Sequence, residues 1–191
     1  LNGAVVIHCY AITSSIDLAE RLDAPVCCNY QHNDAFPGSH PLSVGPLGYN
    51  GSKAAMEIVS RADVVLALGT RLNPFSTLPS YGIDYWPKKA KIIQVDINSD
   101  RIGLTKNVTI GIQGDAKQVA TQIFEKLVPL ESESSRSERT AIIAETKSRW
   151  LQQLSSMDHE DDDPGTNWNE RARNKDPEKM SPRMAWRAIQ A

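Results

Sequence analysis

The order of apolar patterns predicts an α/β fold, a parallel sheet with helices on both faces followed by a helical and acidic linker. Apolar runs of strand length recur at 25–28, 64–68, 91–97 and 108–112, and patterns of helical period fall between them. Runs that are continuously apolar, not alternating, suit strands covered on both faces. Charge density sets where the sheet ends. Residues 1–130 carry 11 acidic and 11 basic side chains, whereas the much shorter 131–191 carries 12 and 10, so the packed domain is expected over 1–130.

Of the 191 residues, 40% are hydrophobic and 23% charged, which suffices for one buried core and excludes a collagen-like or wholly disordered chain. A net charge of -2 gives no electrostatic reason to expect nucleic acid or an anionic membrane as partner. No run of about eighteen apolar residues spans a bilayer, and no basic-then-apolar leader opens the chain. Cys9, Cys27 and Cys28 lack C-x-x-C spacing. A soluble protein of the reducing cytoplasm is the expectation. Leu1 stands where Met would begin a gene product, and 182–190 still reads as helix at the other end, so a segment of a longer polypeptide is expected.

The elements follow in order. Asn2-Gly3-Ala4 reads as the turn after a truncated first strand. Ile16, Leu18, Ala19 and Leu22 mark a helix over about 14–22, leading into the strand at 25–28. The next twenty or so residues, rich in Asn, His, Pro and Gly, read as a long loop, functional or disordered. After Gly51 and Ser52, Ala54, Ala55, Ile58, Val59 and Ala62 share one helical face. The strands at 64–68, 91–97 and 108–112 follow, and Asp115 caps a helix whose Ala116, Val119, Ala120, Ile123, Phe124 and Leu127 repeat at helical spacing. Residues 131–179 read as linker, with a polar helix over 136–157 carrying Ile143, Trp150, Leu154 and Met157 on one stripe, then the acidic run 158–163.

Ligands of open parallel sheets lie beyond the carboxyl ends of the strands, where helix N-termini offer free N–H groups. Three such ends carry suitable chemistry. Gly69-Thr70-Arg71 follows one strand, its glycine permitting close backbone approach and its arginine able to hold a phosphate. Asp96-Ile97 ends the next, and a carboxylate there can accept both hydroxyls of a ribose. Gly114-Asp115 opens a helix whose dipole favours an anion. Each residue also has a plain structural reading: turn glycine, solvated charge, loop cap or N-cap. The G-x-G-x-x-G motif is absent after the remnant first strand, which disfavours an ordinary nicotinamide dehydrogenase. His32, Asp34 and His40 on the long loop offer a metal or acid–base set only if they converge in space, and polar loop residues are the plainer reading.

The stretch His40-Pro41-Leu42-Ser43, Gly45, Leu47-Gly48 and Gly51, with Ala62-Asp63-Val64-Val65-Leu66-Ala67-Leu68-Gly69-Thr70-Arg71, resembles the central domain of thiamine-diphosphate enzymes of the acetolactate synthase superfamily. Gln94-Val95-Asp96-Ile97 and Gly114-Asp115-Ala116 fall where that family has them. The longer strings from Tyr30 to Pro41 and from Asn73 to Pro79, with Tyr81-Gly82-Ile83-Asp84-Tyr85-Trp86-Pro87, resemble its sulfoacetaldehyde acetyltransferase branch. The resemblance implies a Rossmann-like central domain over 1–130 and the opening helix of the diphosphate-binding domain over 180–191. It further implies, for the full-length parent, thiamine diphosphate and Mg²⁺, the substrates sulfoacetaldehyde and phosphate, the products acetyl phosphate and sulfite, and a homodimer or homotetramer. The family's activating glutamate and Gly-Asp-Gly metal motif belong to the neighbouring domains, so the segment alone is expected to be inactive, without a catalytic or metal-ligating residue. Some relatives bind FAD or ADP non-catalytically in this domain, and the matching positions are Gly69, Thr70, Arg71, Asp96, Ile97, Gly114 and Asp115. Pro46-Leu47-Gly48-Tyr49-Asn50-Gly51 departs from the flavin-binding Met-Leu-Gly-Met-His-Gly. A nucleotide site and a purely supporting domain both stay open, beside a nucleotide-binding module without thiamine chemistry and an acetolactate synthase-like enzyme.

Overall fold

The computed structural model describes residues 3, 6, 10–128 and 133–159. Cys9, residues 131–132, the connector expected at 160–165 and the helix expected at 182–190 lie outside the described residues. The chain divides into two compact units, Leu1–Lys147 and Ser148–Ala191.

Helix α1 (Ile12–Leu22) buries Leu18 and Ala19 and stops where Asp23 turns left-handed at φ 50°, its N–H closing onto the Ala19 and Glu20 carbonyls. Aspartate tolerates that conformation better than a bulkier residue would. Strand β1 (Val26–Asn29) follows, with all four residues buried. It pairs in parallel with β2 (Ser43–Leu47), which lies inside the stretch expected to be loop. Asn29 faces Leu47 and Cys28 faces Pro46, with an irregularity between Val26 and Cys27. Short 3-10 geometry at Asn33–Ala35 and a turn at His40 make the connection between these two strands.

Helix α2 (Lys53–Ser60) starts at Ser52, whose Oγ accepts the Ala55 N–H, and packs on β2 through an apolar face that buries Ala55, Met56 and Val59. Strands β3 (Val64–Leu68), β4 (Lys91–Asp96) and β5 (Ile110–Gln113) form a second parallel sheet in that order, paired without irregularity. Their alternation serves two apolar layers. Leu68 and Val95 enter the main core with β1, β2 and the helices, whereas Val65, Ala67 and Ile92 meet Leu72, Trp86, Ala90 and Val108 on the other side. Both faces of β3 and β4 are therefore covered, which is why their sequences read as continuous apolar runs.

A short helix α3 (Pro74–Thr77) is capped by Asn73, whose Oδ1 accepts the Ser76 N–H at 2.9 Å. Helix α4 (Ala116–Lys126), capped by Asp115, packs against α1. Helix α5 (Glu133–His159) is polar, and its first half is fastened by polar side chains as well as by apolar burial. Arg136 donates to the Glu20 carbonyl at 3.1 Å, Lys147 donates to the Pro41 carbonyl at 3.2 Å, and Ile143 is buried in the main core. Among the described residues no helix is long and apolar enough to cross a membrane.

Candidate functional site

The carboxyl ends of β3, β4 and β5 lie side by side because the strands are parallel and in register. Gly69 takes φ 58° and donates its N–H to the Val95 carbonyl at 2.8 Å, and Gly114 donates to the Asp96 carbonyl at 3.0 Å. Gly69, Asp96 and Gly114 thus share one rim. Asp96 is the chemically distinctive member. It is 1% exposed; Oδ1 accepts the Asn98 N–H at 2.9 Å, while Oδ2 is buried with no partner among the described residues. A buried carboxylate oxygen in that condition can accept a further hydrogen bond.

The other expected residues divide into two groups. Ile97 and Arg71 are exposed on the rim; the Ile97 carbonyl accepts from Gln113 at 3.5 Å and the Arg71 carbonyl from Thr105 at 2.9 Å. Thr70 and Asp115 are engaged with the fold itself. Thr70 Oγ1 accepts from Asn29 Nδ2 at 3.0 Å and from the Leu72 N–H at 3.2 Å, tying the end of β1 to the loop after β3. Asp115 Oδ1 accepts the Gln118 N–H at 3.0 Å, as an N-cap does.

Gln94 is the residue that sequence reasoning passed over. Buried on β4, it donates through Nε2 to the carbonyls of Thr70 and Arg101, both at 3.0 Å, and accepts the Gly103 N–H through Oε1 at 2.9 Å. One carboxamide therefore joins the loop after β3 to the loop after β4. Its signal was a lone amide inside the apolar run Lys91–Asp96.

The long connection brings no acid–base set together. His40 Nε2 meets Glu20 Oε1 at 3.2 Å, Nδ1 accepts the Leu42 N–H at 3.2 Å, and the ring stands edge-on to Phe36 at 5.1 Å. Those contacts brace a turn. His32 starts the 3-10 segment that holds Asp34, and its N–H donates to the Asn29 carbonyl. Among the described residues no group of three or more His, Cys, Asp and Glu converges as a metal site would require. Burial raises the Cys27 thiol above its ordinary value and, with a smaller push from Cys27, takes Cys28 up to about 12. Neither is a ready nucleophile at neutral pH.

A second rim forms where the loop after β2 meets α3 and its continuation. Tyr49 donates its N–H to the Phe75 carbonyl at 2.9 Å, and the Tyr81 hydroxyl donates to the Gly51 carbonyl at 3.0 Å. Gly48 takes φ 85°, and a Cβ there would overlap the Phe75 carbonyl oxygen. The segment that departs from the flavin-binding pattern is thus clamped to the loop that precedes β4.

Comparison with known proteins bears on the family of this fold. The family model described as thiamine pyrophosphate enzyme, central domain, matches residues 2–123. The chain is similar to a probable sulfoacetaldehyde acetyltransferase of Rhizobium meliloti (strain 1021), 74% identical over 191 residues, covering 100% of this chain and 32% of the relative. It is similar also to a sulfoacetaldehyde acetyltransferase of Roseovarius nubinhibens, 72% identical with the same coverage. A probable acetolactate synthase large subunit of Methanocaldococcus jannaschii is 38% identical over 131 residues, 69% of this chain and 22% of that protein. The chain spans about a third of the length of the sulfoacetaldehyde acetyltransferases it matches. With a match across most of its parallel-sheet unit, this chain belongs to the family of thiamine pyrophosphate enzyme central domains.

Proposed function

We propose that the chain is the central domain of a thiamine-diphosphate-dependent acetyltransferase that converts sulfoacetaldehyde and phosphate to acetyl phosphate and sulfite. The observation that carries this reading is 74% identity along the whole chain to a relative bearing that name, against 38% to an acetolactate synthase subunit. Thiamine diphosphate, when bound, supplies an electron sink for carbanion chemistry, and Mg²⁺ ties its diphosphate to protein. The family resemblance places both groups in the neighbouring domains. The cysteine pattern supports a cytoplasmic parent, and the family resemblance implies a homodimer or homotetramer.

What this chain's own residues do is support and, at one rim, binding. Gly69, Thr70, Arg71, Asp96, Ile97, Gly114 and Asp115 are the positions for an FAD or ADP held non-catalytically. The unpartnered Asp96 Oδ2 on the rim shared with Gly69 and Gly114 supports a ribose there. The clamped segment at 46–51 supports ADP over a flavin.

The test uses the full-length parent with thiamine diphosphate, Mg²⁺, phosphate and sulfoacetaldehyde. Sulfite and acetyl phosphate are expected in equal amounts. Acetolactate formed from pyruvate without any sulfite would move the assignment to an acetolactate synthase. For the rim, calorimetric titration with ADP is expected to show binding that Asp96→Ala abolishes; no binding to a folded parent leaves the domain a pure support.

A further inference from the structure

β5 ends its sheet without the devices that usually blunt an edge. Edge strands commonly carry a charge, a proline or a bulge, because their outer N–H and C=O groups invite another strand. Thr109-Ile110-Gly111-Ile112-Gln113 has neither charge nor proline, and β5 pairs with β4 without irregularity. Ile110 is 50% exposed, and Gly111 and Gln113 are exposed with it. The outward groups belong to the two isoleucines. Thr109 donates its N–H to the Ile92 carbonyl on the β4 side, so alternation turns the N–H and C=O of Ile110 and Ile112 to the open flank. Among the described residues no strand pairs with them there.

The charges around the strand select what fits it. Lys106, its ammonium over Trp86 at 4.9 Å, precedes the uncharged stretch 107–114, and Asp115, the cap of α4, follows it. A second β5 running antiparallel sets its acidic end against this basic end and its basic end against this acidic one. A parallel copy would set like against like. Two-fold pairing about Gly111 meets the condition. Ile110 then faces Ile112 of the second copy and exchanges N–H and C=O bonds with it, while Thr109 faces Gln113 of the second copy in the closer, non-hydrogen-bonded kind of pair. Ile112 already packs against the main core, and Ile110 shares its face, so the isoleucine pairs carry that apolar layer across the axis. Gly111 lies on the axis with its other face filled by Ile102, whose Cγ2 a Cβ would meet at 2.5 Å.

We infer that β5 is an interface between copies of the parent, an antiparallel β5–β5 pair that continues the sheet of one copy into the next. A strand this short buries far less than the roughly 1,200 Å² of a stable interface. It therefore acts between copies already associated elsewhere and turns dimers into the homotetramer. Two kinds of two-fold contact, their axes crossing, close on such an assembly. The inference rests on the oligomeric parent proposed above and selects the larger of its two forms.

The experiment weighs the full-length parent by sedimentation and native mass spectrometry. Wild type is expected as a tetramer. Ile110→Lys, a charge placed on the half-exposed edge residue, is expected to leave folded dimers, with the tetramer weakened about a hundredfold. The double variant Thr109→Cys with Gln113→Cys is expected to yield, on mild oxidation, a disulfide between position 109 of one copy and 113 of another, located by peptide mass mapping; neither single variant should form it. A wild-type dimer overturns the inference and leaves the oligomeric reading standing, whereas a monomer sinks both. A tetramer that survives Ile110→Lys in a folded protein, or one without the 109–113 disulfide, puts the contact elsewhere and also overturns it. Wild-type mass and the disulfide decide the matter even where the lysine variant fails to fold.

Discussion

Gly48 shows how one missing methyl group holds a rim together. Its left-handed backbone and its contact with the Phe75 carbonyl leave no space for Cβ. Gly48→Ala is expected to cost about 2–4 kcal/mol, combining the left-handed penalty with the overlap, as read from urea denaturation. Cys28 gives the residue-scale pH dependence. Its folded value stands above its unfolded one because burial disfavours the thiolate. The thiol's contribution is therefore complete below pH 9 and drains away as pH rises towards about 12. At about 1.4 kcal/mol per pH unit, up to ~4 kcal/mol is lost across that window. Cys28→Ala should flatten the alkaline limb of the stability curve, measured by denaturation at pH 8 to 11. An unchanged limb would remove the thiol from the account.

Among elements, the two loops that follow β3 and β4 behave as one because Gln94 joins them. Gln94→Leu keeps the volume but leaves two carbonyls and one N–H unpaired, so a loss of about 2–4 kcal/mol is expected. Exchange at residues 99–103 and 69–72 should quicken together; quickening of one loop alone would mean the amide is no link. That link was illegible beforehand because it depends on which loops the fold brings to one strand. β3, β4 and α4 were legible, since Val64–Leu68 and Lys91–Asp96 are apolar throughout and Asp115 announces its helix. β2 was not, because Gly45 and Pro46 are poor strand residues and hide its apolar Val44 and Leu47. The rim residues were read correctly as strand ends, and Asp115 was legible as a helix cap, but the tie of Thr70 to Asn29 at the end of β1 was not, because only tertiary contacts bring the two together.

At the scale of the whole molecule, binding and chemistry should separate. Arg71 sits on the rim of a domain assigned a supporting role, so Arg71→Ala in the full-length parent should weaken ADP by about tenfold, the worth of one charge-assisted contact. Sulfite release at saturating substrate should stay within about twofold. A collapse of turnover with unaltered ADP affinity would put Arg71 in the reaction itself. The outer flank of β2 bears on how copies of this protein keep apart. Pro46 has no hydrogen to donate there, and its carbonyl is already taken by the Ser52 N–H at 2.6 Å. A foreign strand approaching that flank finds neither donor nor acceptor at Pro46, so this edge of the sheet is closed there by Pro46 and by Ser52, the residue that also caps α2.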